Sequence, residues 1–238
     1  MIRSILFNIS FYLFTLISAI CLAPFLFLPG RKLLLKGARG WAKGSLFLLR
    51  WFGGIKIEFE GLDHLPKQGS YLIAAKHQSE VDGIAILALV PDVATIAMQE
   101  LGRYPVIGRL MKKMRMILVD SDGGAKSQNS LTLRASSVLE DERPVLIYPE
   151  GRLVPVGEAS KYKAGIYHLY DDFSLPVIPV ATNVGLRWPQ RNFFKNPGHA
   201  TIEFLPPIMP GLEKQDFMQR LQNTIEDQSN QLVQLAKG

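Results

Sequence analysis

Cysteine is almost missing from this 238-residue chain. Cys21 is the only one, which excludes an intramolecular disulfide, a thiolate zinc cage and a dithiol redox pair. Acidic residues are missing altogether from positions 1–50. That stretch carries seven basic side chains (Arg3, Arg31, Lys32, Lys36, Arg39, Lys43 and Arg50), whereas the rest holds the other 20 of 27 basic groups and all 21 acidic ones. The formal net charge of +6 therefore sits at one end, in the most apolar part of the sequence. A nucleic-acid-binding domain would carry its basic groups on a folded surface. A basic stretch fused to an apolar one suits anionic lipid instead, so membrane lipid is the expected partner and nucleic acid is not. Gly and Pro are dispersed and 47% of residues are apolar, which excludes disordered and collagen-like classes.

Charge of either sign is missing again between Ser4 and Gly30. The run Ile5 to Ala23, as a helix at about 1.5 Å per residue, reaches roughly 29 Å, close to the ~30 Å of a bilayer's hydrocarbon core. Pro24 and Pro29 punctuate its end. A cleaved signal peptide is the alternative, but Ser18-Ala19-Ile20 lacks the small residue wanted just before a cut at Cys21. Arg31, Lys32, Lys36, Arg39 and Lys43 come after the uncharged stretch against Arg3 alone before it, a bias that places the C-terminal domain on the cytoplasmic side. Residues 31–52 mix basic groups with Leu, Phe, Trp41 and Trp51. They suit either an amphipathic helix lying in the membrane interface or a helix packed on the domain, and Gly37, Gly40 and Gly44 weaken the helical signal. The expected organisation is a membrane-anchoring segment over 1–53 and one domain over 54–238, with no internal repeat or linker in the latter.

Beyond Gly54 short apolar runs alternate with helical patterns. Strands are expected at Ile55–Glu60, Tyr71–Ala75, Val93–Met98, Met116–Asp120, Pro144–Tyr148, Pro176–Thr182 and Ala200–Leu205. Helices are expected near Gly83–Val90, Ile107–Met114, Ala125–Glu140, Tyr162–Asp171 and Leu212–Ala236. The alternation predicts an α/β fold with a mixed, largely parallel sheet flanked by helices.

In such sheets chemistry collects where strands end. After Tyr71–Ala75 comes Lys76-His77-Gln78-Ser79-Glu80-Val81-Asp82. A carboxylate five residues after a histidine can hold its ring and stabilise its imidazolium, half of a relay that activates a nucleophile. With no Gly-x-Ser-x-Gly elbow, and with Cys21 in the apolar segment, the nucleophile would belong to the substrate. Ser79-x-x-Asp82 equally reads as a helix cap. No paired ligand spacing joins His64, His168 or His199 to His77, so no metal is expected. After Val145-Leu146-Ile147 come Glu150, Gly151 and Arg152, then Lys161, Lys163 and Gly165, which read as a phosphate cradle or as a solvated basic loop.

Together these blocks resemble the glycerolipid acyltransferases typified by lysophosphatidate acyltransferase. The resemblance rests on His77-x4-Asp82, Glu100-Leu101-x3-Pro105-x2-Gly108, the strand ending at Asp120-Ser121, Pro149-Glu150-Gly151 with Lys163-Ala164-Gly165, and Pro176-Val-x-Pro179-Val, in the family's order. It implies His77 as general base and Asp82 as its orienting group, and substrate contacts from Ser79, Glu150, Gly151, Arg152 and Lys163. It further implies no cofactor or metal, and an acyl-CoA or acyl carrier protein donor. The acceptor would be a lysophospholipid and the product phosphatidic acid, made at the cytoplasmic face of a bacterial inner membrane. Two positions depart from the family: Ser121 and Leu153 stand where it usually has arginine, and Arg152 stands one residue earlier. An acceptor with another head group, a membrane-bound thioesterase or lipid esterase using the same His and Asp, and a catalytically silent membrane protein are the alternatives.

Overall fold

The computed structural model describes residues 1–120 and 124–236; Ser121 lies outside the described residues. Two helices open the chain, α1 (Ile2–Leu22) and α2 (Lys32–Leu48). There follow β1 (Ile55–Glu60), β2 (Leu72–Ala75), α3 (Val81–Leu89), β3 (Ala94–Met98), α4 (Pro105–Lys113), β4 (Ile117–Val119) and α5 (Gly124–Leu139). The chain ends with β5 (Val145–Ile147), α6 (Gly165–Asp172), β6 (Val177–Thr182), β7 (Gly198–Phe204) and α7 (Lys214–Leu235). Every strand and helix expected from the patterning is present, with ends displaced by no more than about three residues, the usual reach of fraying and capping.

The seven strands form one sheet in the order β1-β7-β6-β2-β5-β3-β4, parallel throughout except for the β6–β7 pair. Parallel strands need crossovers, and helices supply them on both faces. Alternation along the central strand decides which face each residue serves. Ile73 and Ala75 join Leu146, Ile178 and Val180 in a core shared with α3, whereas Leu72 and Ala74 join Val145, Ile147 and Val177 under α5, α6 and α7. With β2 buried between β5 and β6, the turn leaving its C-terminal end is held by rigid neighbours on both sides.

The apolar N-terminus does not stand clear of the domain. Among the described residues Ile2–Leu26 is the one segment long and apolar enough to cross a membrane, and Ile2, Ile9, Leu16 and Ile20 along it are more than half exposed. Its opposite flank is built in. Phe7 is fully buried in the sheet core, edge-on to Trp188 at 5.2 Å. Ser4 exchanges hydrogen bonds with the backbone of Lys195, and Asn8 Nδ2 donates to the Phe193 carbonyl at 3.0 Å. Of the two readings of α2, packing on the domain accounts for one side of the helix. Leu34, Leu35, Ala38 and Ala42 are buried against α1, α3 and the end of α4, and only the other side, with Leu33 and Phe47, faces out. Gly37 and Gly44, which weakened the helical reading, have a packing reason: a Cβ at either would run into Leu22 or Phe14 of α1.

Candidate active site

The turn after β2 is a hub. Asp82, in the first turn of α3, is 2% exposed, and its Oδ2 accepts from His77 Nδ1 (3.0 Å) and from the backbone N–H groups of Gln78 (2.7 Å) and Ser79 (2.9 Å). A carboxylate only accepts, so Nδ1 carries a proton; in a neutral ring Nε2 then holds the lone pair, the tautomer a general base needs. The histidine side chain is 22% exposed. Its ring stacks on Tyr148 with centroids 3.8 Å apart and planes 18° from parallel, so its orientation is fixed from two directions. Relay and cap, which spacing could not separate, coexist: Asp82 serves His77, while Ser79 Oγ accepts the Val81 N–H at 3.3 Å.

Behind the turn lies an ion cluster. Lys76, 2% exposed, donates to Glu150 Oε1 (2.6 Å), to both carboxylate oxygens of Glu226 on α7 (2.9 Å each) and to the Glu158 carbonyl (3.1 Å). Glu150 Oε2 takes the backbone N–H of His77 at 2.8 Å. Tyr162 donates its hydroxyl to Glu226 at 3.0 Å. Burial pushes the Glu150 carboxyl above its ordinary range, opposed by the Lys76 ammonium and the His77 N–H. Burial and, secondarily, the Asp82 charge push the Tyr148 phenol well up, so it stays neutral.

In front of the turn opens a cavity of about 1280 Å³. His77, Arg152 and Lys163 share its wall with apolar side chains of α3 (Ile84, Leu87), β3 (Ile96, Met98) and the α4–β4 region (Met111, Met114, Met116), and Trp41 of α2 reaches it. Gly151 holds φ +66°, and a Cβ there would lie 2.7 Å from Lys163 Cε, so glycine lets the cationic stem pass over the backbone. Arg152 is exposed into the cavity and makes no hydrogen bond or ion pair among the described residues. Among those residues no group of three or more His, Cys, Asp or Glu is arranged to hold a metal.

The residues singled out from sequence thus divide. His77, Gly151, Arg152 and Lys163 line the cavity with Asp82 directly behind. Ser79 and Glu150, expected as substrate contacts, do not reach it: Ser79 is fully buried as a cap, and both Glu150 oxygens are engaged inside. Tyr148, Lys76 and Glu226 were missed. The first two lay in view beside the motifs, but Glu226 is 150 residues from its partner, and spacing carries no signal over that distance.

Comparison with known proteins places the chain in a family. A 1-acyl-sn-glycerol-3-phosphate acyltransferase of Pseudomonas aeruginosa is 29% identical over 170 residues, 71% of this chain and 66% of that protein. One from Limnanthes alba is 28% identical over 182 residues, 76% of this chain and 63% of that protein. The chain thus spans just under two thirds of these relatives' length. The crystal structure of the 1-acyl-sn-glycerophosphate acyltransferase from Thermotoga maritima superposes with a TM-score of 0.80 at 20% identity, over 98% of this chain and 97% of that one, and so shares the fold, N-terminal helices included. Residues 56–183, more than half the chain and spanning the His77 turn and the Arg152 loop, match the family described as Acyltransferase, and the chain belongs to that family.

Proposed function

We propose that the protein transfers a fatty acyl group from an acyl thioester, acyl-CoA or acyl carrier protein, to the free hydroxyl of a 1-acylglycerol-3-phosphate, giving phosphatidic acid. The observation that carries this reading is the His77–Asp82 pair, with Nε2 free, opening on an apolar cavity that also holds Arg152, unpartnered among the described residues.

The chemistry needs no acyl-enzyme and no cofactor. Nε2 of His77 takes the acceptor's hydroxyl proton as the oxygen attacks the thioester carbonyl, and Asp82 stabilises the imidazolium that forms. The tetrahedral intermediate collapses with C–S cleavage, and the thiolate leaves with the proton returned by Nε2. A positioned base of this kind supplies about 10² to 10⁴ in rate. The apolar wall, rich in methionine and therefore adaptable, suits an acyl chain. Arg152 and Lys163 supply cations for phosphate on acceptor or donor, Arg152 with the planar fork that matches phosphate oxygens.

Residues 1–53 act as the membrane-anchoring part and 54–238 as the catalytic part, at the cytoplasmic face of the membrane. The exposed apolar flank of α1 supports this, as does Trp41, which both bonds Thr15 of α1 (3.0 Å) and lines the cavity. Substrates with acyl chains would then pass between bilayer and site without crossing water.

The test is acyl transfer by the full-length protein in mixed micelles, with acyl-CoA or acyl carrier protein as donor and lysophosphatidate, other lysophospholipids or no acceptor. Phosphatidic acid formation that falls at least ~100-fold in His77→Ala supports the reading. Fatty acid release independent of acceptor would make the protein a thioesterase, and preference for another lysolipid would replace the head group.

A further inference from the structure

The loop after β6 carries a feature that general-base catalysis by His77 does not use. Among the described residues, five that are not glycine have positive φ: Asp92, Arg115, Glu142, Ser174 and Arg191. The first four each close a helix-to-strand turn, after α3, α4, α5 and α6, where a left-handed residue is the ordinary way to end a helix. Arg191, at φ +52°, ends no helix. It is the third residue of the Pro189–Asn192 turn, closed by the Asn192 N–H on the Pro189 carbonyl at 3.3 Å, and that turn sets its side chain in the wall of the cavity.

The surroundings fix it there. The Arg191 N–H donates to Glu80 Oε1 at 3.2 Å, and Glu80 belongs to the same turn as His77. On the far side the loop is tied to α1 through Asn8 and Ser4. The backbone is thus pinned between the catalytic turn and the apolar N-terminus, while the guanidinium is exposed and has no hydrogen-bond or ion-pair partner among the described residues. The cavity wall also carries Glu80, Asp120 and Glu158, so an anion entering it is not drawn by a general positive field and must be met by directed donors. A guanidinium on a pinned backbone is such a donor.

We propose that Arg191 is a phosphate-binding residue of this cavity, gripping a phosphate group of a substrate. That phosphate is carried either by the acceptor lysolipid or by the nucleotide of an acyl-CoA donor. The proposal rests on the acyl-transfer reading for its substrates.

The experiment compares full-length wild type with Arg191→Gln and Arg191→Gly, the second because glycine is at ease at φ +52°. Lysophosphatidate is set against monoacylglycerol as acceptor, and acyl-CoA against acyl-pantetheine, which lacks the nucleotide, as donor. Both variants should keep the wild-type Tm within a few degrees and kcat within about threefold. KM should rise roughly 10- to 150-fold, the conversion of a charge-assisted hydrogen bond. A rise confined to lysophosphatidate assigns the phosphate to the acceptor, and one confined to acyl-CoA assigns it to the donor. Equal changes with all four substrates, or none, would overturn the proposal. Equilibrium binding of lysophosphatidate and of CoA to wild type and Arg191→Gln reads the phosphate contact directly. It therefore decides the proposal even if the wild type transfers no acyl group, an outcome that would sink the acyl-transfer reading instead.

Discussion

Replacing Lys76 by Met tests whether the buried ion cluster holds the catalytic turn in place. The side chains of Lys76 and Glu150 are 1% and 0% exposed and that of Glu226 12%. Methionine fills much of the lysine stem's volume but removes the ammonium. Two carboxylates would then face each other with the Tyr162 hydroxyl and the His77 N–H as remaining donors. Breaking a buried pair by removing one partner costs about 3–5 kcal/mol, against the ~5–15 kcal/mol by which domains are ordinarily stable. At roughly 2–4 °C per kcal/mol for a chain of this size, Tm should fall by roughly 6–20 °C. Glu226→Gln is the control. It leaves Lys76 paired with Glu150 and Tyr162 with an acceptor, so its loss should be under about 2 kcal/mol. Activity should separate from stability. Glu150 Oε2, freed from its register, no longer fixes the His77 backbone, so kcat measured well below the variant's Tm should fall with little change in KM. Denaturant unfolding in detergent and initial rates per folded molecule make the comparison. A Lys76→Met variant within about 1 kcal/mol of wild type, or one that melts early yet turns over normally, would refute the coupling of this cluster to His77.

Tyr148→Phe keeps the ring stacked on His77 and deletes a buried hydroxyl that has no partner among the described residues; it should retain activity within about threefold and raise stability by up to ~1–3 kcal/mol, whereas Tyr148→Ala should lose both, and the thermal shifts decide. Asp82→Asn removes the charge from the group whose one oxygen accepts three hydrogen bonds and puts a buried NH2 in place of the other oxygen, so it should lower kcat and Tm together, while His77→Ala lowers kcat with a far smaller change in Tm; equal Tm losses would count against this division of roles. Because burial raises Glu150 above its ordinary 4.5 in the folded chain, its share of stability is full below pH 4.5 and is lost as pH rises through the raised value. The unfolding free energy of wild type minus that of Glu150→Gln should therefore decline across that window, and a flat or rising difference would show the Lys76 ammonium outweighing burial. Phe7→Ala should cost about 3–5 kcal/mol and deletion of residues 1–53 should give insoluble protein, since both uncover the sheet core; a soluble, cooperatively melting fragment would show that the segment only anchors.

The sheet was legible because buried parallel strands leave short apolar runs between turn residues; α3 carries a comparable run at residues 84–90, set apart by the Asp82-Gly83 pair that opens it. The packing of α1 on the domain was not legible, since an uncharged segment looks equally apolar on every side. Its only mark was Ser4, Phe7 and Asn8 on one helical face, and the two polar members of that trio turned out to be bonded to the loop at 193–195. Among the site residues, His77 and Asp82 could be paired because five residues of turn bring them together. Ser79 and Glu150 turn inward, a direction the sequence could not show because a strand end places residues but not side-chain directions. For Glu150 the direction is set by Lys76 and the His77 N–H, and the third member of that cluster, Glu226, lies on the last helix, where nothing local announces it.

Positions 76–82 show why a motif of two residues needs the five around it. Successive side chains leave this turn in different directions: Lys76 inward to α7, His77 toward the cavity, Gln78 to the Gly185 N–H at 3.3 Å, Ser79 onto Val81, Glu80 outward to Arg191, and Asp82 back to His77. The bonds to Glu226, Gly185 and Arg191 restrain the turn from outside it, and the His77 carbonyl is itself held by the Val154 N–H at 2.8 Å. A base displaced by an ångström loses much of its advantage, and no single hydrogen bond fixes a loop that closely. The geometry of the His77–Asp82 turn is therefore a property of β2's position between β5 and β6, where α7, the Arg152 loop and the loop after β6 all come within reach of one turn.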